Sequence, residues 1–177
     1  KTTRLFDQNS HLYTFTASVL SAEAGKTPDT LSVVLDATAF FPEGGGQGGD
    51  RGYIGSIPVF DTQEENGEIL HLTRDACAVG TTLTCSLDFD TRFDRMQNHS
   101  AEHIVSGLIH RLYGLDNVGF HLGDEETTLD LSGPLDRAQL DRVEELACEA
   151  VFRNLPILCE YPSSARLTPL DYRSKKE

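Results

Sequence analysis

The stretch NHSAEH at residues 98–103 sets His99 and His103 four residues apart. Four residues of helix advance about one turn, so both imidazoles leave one face and can close on a single ion such as Zn²⁺. His110 falls on the same face but roughly 10 Å further along, too far to share that ion, and reads as a surface or packing residue. Gly107, one turn past His103, leaves room beside the pair. Read as HxxEH, the same residues also match the inverzincin peptidase pattern. In that reading Glu102 activates water, and a third, carboxylate ligand comes from an acidic helix downstream, with Glu144 or Glu145 as candidates.

A second segment that can hold a ligand is FFPEGGGQGGDRG, residues 40–52. Gly44, Gly46 and Gly49 satisfy the GxGxxG spacing of a dinucleotide turn. Such a turn needs a helix starting inside the glycine run, so that its amides face the pyrophosphate. Here Asp50, Arg51 and Gly52 lead into another strand-like stretch, and no GK[ST] follows, so neither phosphate cradle fits. What remains is Gly44, Gly45, Gly46 and Gly48 around one functional amide, Gln47. This reads as a flexible, side-chain-poor loop that lets a bulky ligand approach the main chain, or else as a tight series of turns.

The elements that must carry these residues show in the hydrophobic period. From about residue 12 to 90 it is two: Tyr13, Phe15, Ala17, Val19; Val33, Leu35, Ala37, Ala39; Leu83, Cys85, Leu87, Phe89. Asn66 and Gly67 have the residue types of a hairpin tip. About six short strands without an intervening helix predict a small antiparallel barrel. Near residue 91 the period changes, and Phe93, Ala101, Ile104, Val105, Leu108, Ile109 and Leu112 recur at threes and fours until Gly114, a C-cap type. VGFHLG and TTLDL then read as strands. Asp136 with Gln139 reads as a capping box opening a helix to about Phe152, striped by Leu140, Val143, Leu146 or Ala147, Ala150 and Val151. Asn154 and Pro156 stop that helix, and ILCEY reads as a further strand. The expected fold is α+β: a β-barrel domain over 1–90 carrying the glycine-rich loop, then an α+β domain over 91–177.

Composition narrows the partners. The net charge of −13 disfavours nonspecific binding to a phosphate backbone, which basic patches drive. The two local basic clusters, Arg92 with Arg95 and Arg173 with Lys175 and Lys176, read first as solvated surface charge. No apolar run approaches the roughly 20 residues that span a bilayer, and Lys1 opens no signal-peptide pattern, so a cytoplasmic location and no membrane partner are expected. Cys77, Cys85, Cys148 and Cys159 show no CxxC spacing and read as reduced, mostly buried small apolar residues.

Taken in order, FFPEGGGQGGDRG, RFDRMQNHSAEH and VGFHLGDEETTLDLSG resemble the editing module of alanyl-tRNA synthetases and their free-standing AlaX-type relatives, over nearly the whole chain. The resemblance implies a translation-protein-like barrel followed by the α+β editing domain shared with threonyl-tRNA synthetase. It implies an aminoacyl-tRNA deacylase that hydrolyses Ser-tRNA(Ala) or Gly-tRNA(Ala), with the acceptor end of tRNA(Ala) as partner. Carried over by position, His99 and His103 match half of a zinc site, and Gln47 matches the glutamine of the editing pocket. Thr38 matches a threonine that reads the substrate hydroxyl, and His121 falls in a recurrent segment without an assigned role. The CxxxH pair that completes the zinc site in such proteins has no counterpart: Phe152 stands four residues after Cys148, and Ser163 four after Cys159. The expectation is therefore a chain truncated before that motif, with an incomplete editing domain. A non-catalytic module that docks tRNA or a synthetase is the third reading beside deacylase and peptidase.

Overall fold

Alternating apolar and polar residues build most of the first half of the protein, whose computed structural model describes residues 1–123, 126–158 and 162–168. After the two-residue strand β1 (Thr3–Arg4) come β2 (Thr14–Ala24), β3 (Leu31–Leu35), β4 (Ala37–Thr38), β5 (Gly52–Ile54), β6 (Ile57–Glu65), β7 (Glu68–Thr73) and β8 (Thr82–Leu87). Six of them close on themselves in the order β2-β3-β7-β6-β5-β8, every pair antiparallel. The sixfold alternation read from the sequence thus forms a ring without a free edge. The hairpin between β6 and β7 turns at Asn66 and Gly67, with φ of 51° and 80°.

The inward residues are those the period of two selected. Phe15, Ala17 and Val19 of β2 pack with Val33, Leu35, Ala39, Phe40, Ile54, Cys85 and Leu87. Two of the set lie outside the strands: Tyr13 precedes β2 and stays exposed, and it lies at 5.3 Å between ring centroids from Phe89, which opens α1. Cys77 and Cys85 are buried free thiols, and burial pushes Cys85 up to about 12. Cys148 is exposed, contrary to the expectation for it, and Cys159 lies outside the described residues.

The second half holds α1 (Phe89–Tyr113), the antiparallel pair β9 (Asn117–Leu122) and β10 (Thr127–Leu131), α2 (Arg137–Phe152) and a single turn, α3 (Ser164–Leu167). Asp88 caps α1 by accepting from Thr91 N, and Gly114 ends it in the left-handed conformation. The capping box of Asp136 and Gln139 is formed in full. Only Val143 of the α2 stripe is fully buried; Leu140 and Val151 stay exposed beside Phe152, Leu155, Ile157 and Leu158. Ile157 and Leu158 are not in a strand, and the rest of the strand expected there lies outside the described residues, as do Arg173, Lys175 and Lys176. Among the described residues, no helix is long and apolar enough to cross a membrane.

Polar side chains are buried within the barrel half, Thr38, Thr62, His71 and Thr73 among them. His71 of β7 is fully buried, packs edge-on to Phe40 at 5.1 Å, and bonds Val33 O through Nδ1 and Thr38 Oγ1 through Nε2, at 2.9 and 2.8 Å. A carbonyl only accepts, so Nδ1 carries the proton and the Thr38 hydroxyl donates to Nε2. Desolvation holds His71 down at about 4, against an ordinary 6.5. The folded state therefore refuses a proton that the unfolded chain accepts below 6.5. Its share of stability is complete above that value and drains away as pH falls toward 4. Urea unfolding at pH 7 and pH 4.5 should show the wild type losing about 2.5 kcal/mol more than His71→Phe over that interval. Equal losses would contradict a neutral, buried His71.

Candidate active site

The glycine-rich segment is a tight turn, the second of the two readings its composition allowed, and not the flexible loop. Gly44 and Gln47 exchange both backbone hydrogen bonds, at 3.0 and 3.1 Å. Gly45 and Gly46 form the two-residue tip with φ of 61° and 84°, the double left-handed pair that favours glycine. Gly46 also has no space for a side chain: a Cβ there would lie 2.6 Å from the Phe120 ring and 2.7 Å from the Phe120 carbonyl oxygen. Leu122 N donates to Gly46 O at 3.1 Å, which ties the tip to β9.

The stem of the turn is fastened to α1. The Asp50 carboxylate accepts from Phe41 N at 2.7 Å and from Arg92 Nε at 2.9 Å to each oxygen, with Arg92 Nη2 as a further donor. Arg92 also donates to Ala39 O and Ser10 O, and Arg95 to Gly48 O and Gly49 O. Both arginines are buried, which corrects their reading as surface charge. The buried residues of α1 are Arg92, Arg95, Glu102, Ser106 and Ile109, so its covered face is largely polar. Of the expected apolar set only Ile109 is fully buried, while Phe93 and Leu112 are exposed. The turn supplies the reason: its carbonyls and carboxylate satisfy guanidinium groups that an apolar wall would have left unpaired.

That fastening sets Gln47 against His99. The Gln47 side chain, 5% exposed, faces His99 with Oε1 at 3.0 Å from Nδ1. An amide oxygen only accepts, so Nδ1 carries the proton and the lone pair lies on Nε2. The His99 and His103 rings lie parallel to within 12°, centroids 5.1 Å apart, as the HxxxH spacing requires. Phe120 flanks His99 at 5.4 Å, and a Cβ at Gly45 would lie 3.8 Å from His99 Cε1. One potential ligand atom from each of His99, Glu102 and His103 lies within 4.8 Å of the others. Glu102 Oε2 is buried without a hydrogen-bond partner. Two imidazoles and an unsatisfied carboxylate oxygen are donors that suit Zn²⁺, so the residues present fit that ion.

Other residues singled out in the sequence lie elsewhere. Thr38 is fully buried, and its hydroxyl is taken by His71 and by Phe40 N at 3.1 Å. His121 is exposed on β9, on the opposite side of the strand from Phe120. His110 is exposed and faces Asp116 at 3.0 Å. Among the described residues the acidic helix α2 adds no carboxylate to the histidine group: Glu144 and Glu145 are exposed, and Arg142 pairs with Glu145. The third ligand that the peptidase reading required from α2 is therefore not assembled there. Sequence reasoning missed Asp50, Phe120, Asn117 and His71. Asp50 at the end of the glycine run was the one local sign, since an acidic residue where the chain re-enters a barrel invites a buried cation.

Comparison with known proteins points one way. The family described as tRNA synthetases class II (A) matches residues 5–91, which include the glycine-rich turn. Alanyl-tRNA editing protein AlaX-L of Pyrococcus horikoshii is 33% identical over 164 residues, 89% of this chain and 40% of that protein. Alanyl-tRNA editing protein Aarsd1-A of Xenopus laevis is 33% identical over 142 residues, 78% of this chain and 34% of its own length. An alanine–tRNA ligase of Caulobacter vibrioides is 38% identical over 152 residues, 79% of this chain and 17% of the ligase. The chain thus spans well under half the length of each of these relatives.

The fastening of turn to helix has a measurable energy. Arg92→Met leaves Asp50 buried without its cation and should cost about 3–5 kcal/mol in urea unfolding, whereas Asp50→Leu with Arg92→Met together should recover part of that loss. A loss below about 1 kcal/mol for Arg92→Met, the size of an exposed pair, would contradict the buried geometry.

Proposed function

The chain belongs to the family of alanyl-tRNA editing proteins and alanine–tRNA ligases, and from that premise we propose that it hydrolyses the ester joining a wrong amino acid, serine or glycine, to tRNA(Ala). The observation that carries the reading is the 3.0 Å contact of Gln47 with His99, which makes one site of the glycine-rich turn and the HxxxH pair. In this reading the barrel of 1–90 and the α+β part of 91–177 are two halves of a cytoplasmic editing module, of the type shared with threonyl-tRNA synthetase.

His99 and His103 would supply two ligands to Zn²⁺, with Glu102 beside them, while the CxxxH pair implied by the resemblance has no counterpart in this chain. When bound, the ion supplies Lewis-acid polarisation of the ester carbonyl or of the attacking water. The protein's own residues do the rest. Gln47 uses Oε1 to hold the His99 proton on Nδ1 and retains two N–H donors on Nε2 for the substrate carbonyl. Gly44, Gly45, Gly46 and Gly48 keep side chains out of the approach, so the terminal adenosine and its aminoacyl group can lie against the main chain. Thr38, fully buried with its hydroxyl engaged by His71 and Phe40 N, carries no substrate contact in this reading. With a net charge of −13, phosphate contacts by this chain are few, and its affinity for tRNA should depend only weakly on salt.

The test is deacylation of Ser-tRNA(Ala) and Gly-tRNA(Ala) by the zinc-loaded chain. Gln47→Ala and His99→Ala should each slow hydrolysis by roughly a hundredfold or more, with both variants still unfolding in a cooperative transition. Inert wild-type protein, or full activity in both variants, overturns the proposal.

A further inference from the structure

Glu102 is a buried carboxylate that the proposed hydrolysis leaves without a defined task. It is 5% exposed, and its Oε1 accepts from Asn117 Nδ2. Its Oε2 is shut away from water with no hydrogen-bond partner, as is Asn117 Oδ1. An unsatisfied charged oxygen is costly in a folded protein and persists where something else makes use of it. The group facing it is His103, whose Nδ1 lies 3.6 Å from Oε2.

The neighbouring histidine shows the same arrangement completed. His99 turns Nδ1 to an acceptor from the barrel, Gln47 Oε1 at 3.0 Å, and its ring lies parallel to that of His103. Each imidazole therefore presents Nδ1 to an oxygen. A carboxylate on the far nitrogen of a metal-binding histidine fixes its tautomer, orients the ring and raises its basicity. Resting on the metal half of the function proposed above, we infer that Glu102 is the positioning residue of His103. Its Oε2 is the acceptor for His103 Nδ1–H, as Gln47 Oε1 is for His99 Nδ1–H, so that both rings offer Nε2 to one Zn²⁺. Asn117 anchors the other carboxylate oxygen and so aims the pair. At 3.6 Å the contact is not yet a hydrogen bond, and binding of the ion would draw it closed. The role differs from that of a peptidase base, since Glu102 then acts on the imidazole and not on water.

Two readouts on the whole chain test this without any measurement of hydrolysis. In ¹⁵N-labelled, metal-free protein, the imidazole resonances should show His103 as the Nδ1–H tautomer. In Glu102→Leu, which removes the acceptor, they should move toward the Nε2–H form that free imidazole prefers. In Zn²⁺ titrations against a chromophoric chelator, Glu102→Leu should bind about 10- to 100-fold more weakly than wild type, with His103 coordinated through Nε2 in the loaded protein. Unchanged tautomer and affinity in Glu102→Leu overturn the inference, as does coordination of His103 through Nδ1. Weaker binding with an unchanged tautomer would make Glu102 a direct ligand and overturns the positioning role. If wild-type protein takes up no Zn²⁺, the metal half of the functional reading falls, and the tautomer comparison alone decides whether Glu102 orients His103.

Discussion

The carboxylate of Asp50, 2% exposed, receives the guanidinium of Arg92 together with a backbone N–H, and everything at the candidate site depends on that junction. Asp50 ends the glycine-rich turn of the barrel, and Arg92 opens helix α1. A buried charge cannot be left alone without a penalty of several kcal/mol, so neither partner can move independently of the other. Arg95 repeats the constraint one turn further along, where it holds the carbonyls of Gly48 and Gly49. The next inward positions of the same helix carry His99 and Glu102. The pair therefore fixes the height and rotation at which the helix presents its imidazoles to the turn.

This arrangement explains why the buried face of a long amphipathic helix is polar. Carbonyl groups at the stem of a tight turn are poor partners for leucine and good ones for arginine. The exchange gives up some apolar burial on α1. In return, Gln47 is held almost fully buried against His99, with both rings of the HxxxH pair parallel. Side-chain amide, imidazole and carboxylate then meet in a region bordered by glycine backbone and by Phe120. A helix packed only on its apolar stripe would have turned His99 away from the barrel.

Features governed by local chemistry were legible in the sequence. The period of two located the strands, Asn66 and Gly67 marked a hairpin, and Asp136 with Gln139 formed the capping box their spacing implied. The histidine pair needed only the geometry of a helical turn. Features that depend on distant partners were not legible. Arg92 and Arg95 looked like solvent-facing charge because Asp50 lies 42 residues before Arg92 and no local pattern records the contact. Hydrophobic periodicity marked Ile104, Val105, Leu108 and Ile109, which are half-buried or buried, but left the polar face of α1 toward the turn unmarked. The glycine run allowed a flexible segment as well as a turn, and its tightness follows from the Gly44–Gln47 pair and from hydrogen bonds to the distant β9 and α1. Thr38 could be placed on a strand, but its buried partner His71 comes from another strand 33 residues away.

The central claim is that Gln47 and His99, contributed by barrel and helix, act as one unit on an aminoacyl ester. A double-mutant cycle on kcat/KM for Ser-tRNA(Ala) hydrolysis addresses it most directly, using Gln47→Ala, His99→Ala and the combined variant. If the two side chains work through their shared hydrogen bond, the combined variant should be little slower than the slower single variant, a coupling of about 3 kcal/mol. Losses that multiply would make the two residues independent and contradict the account.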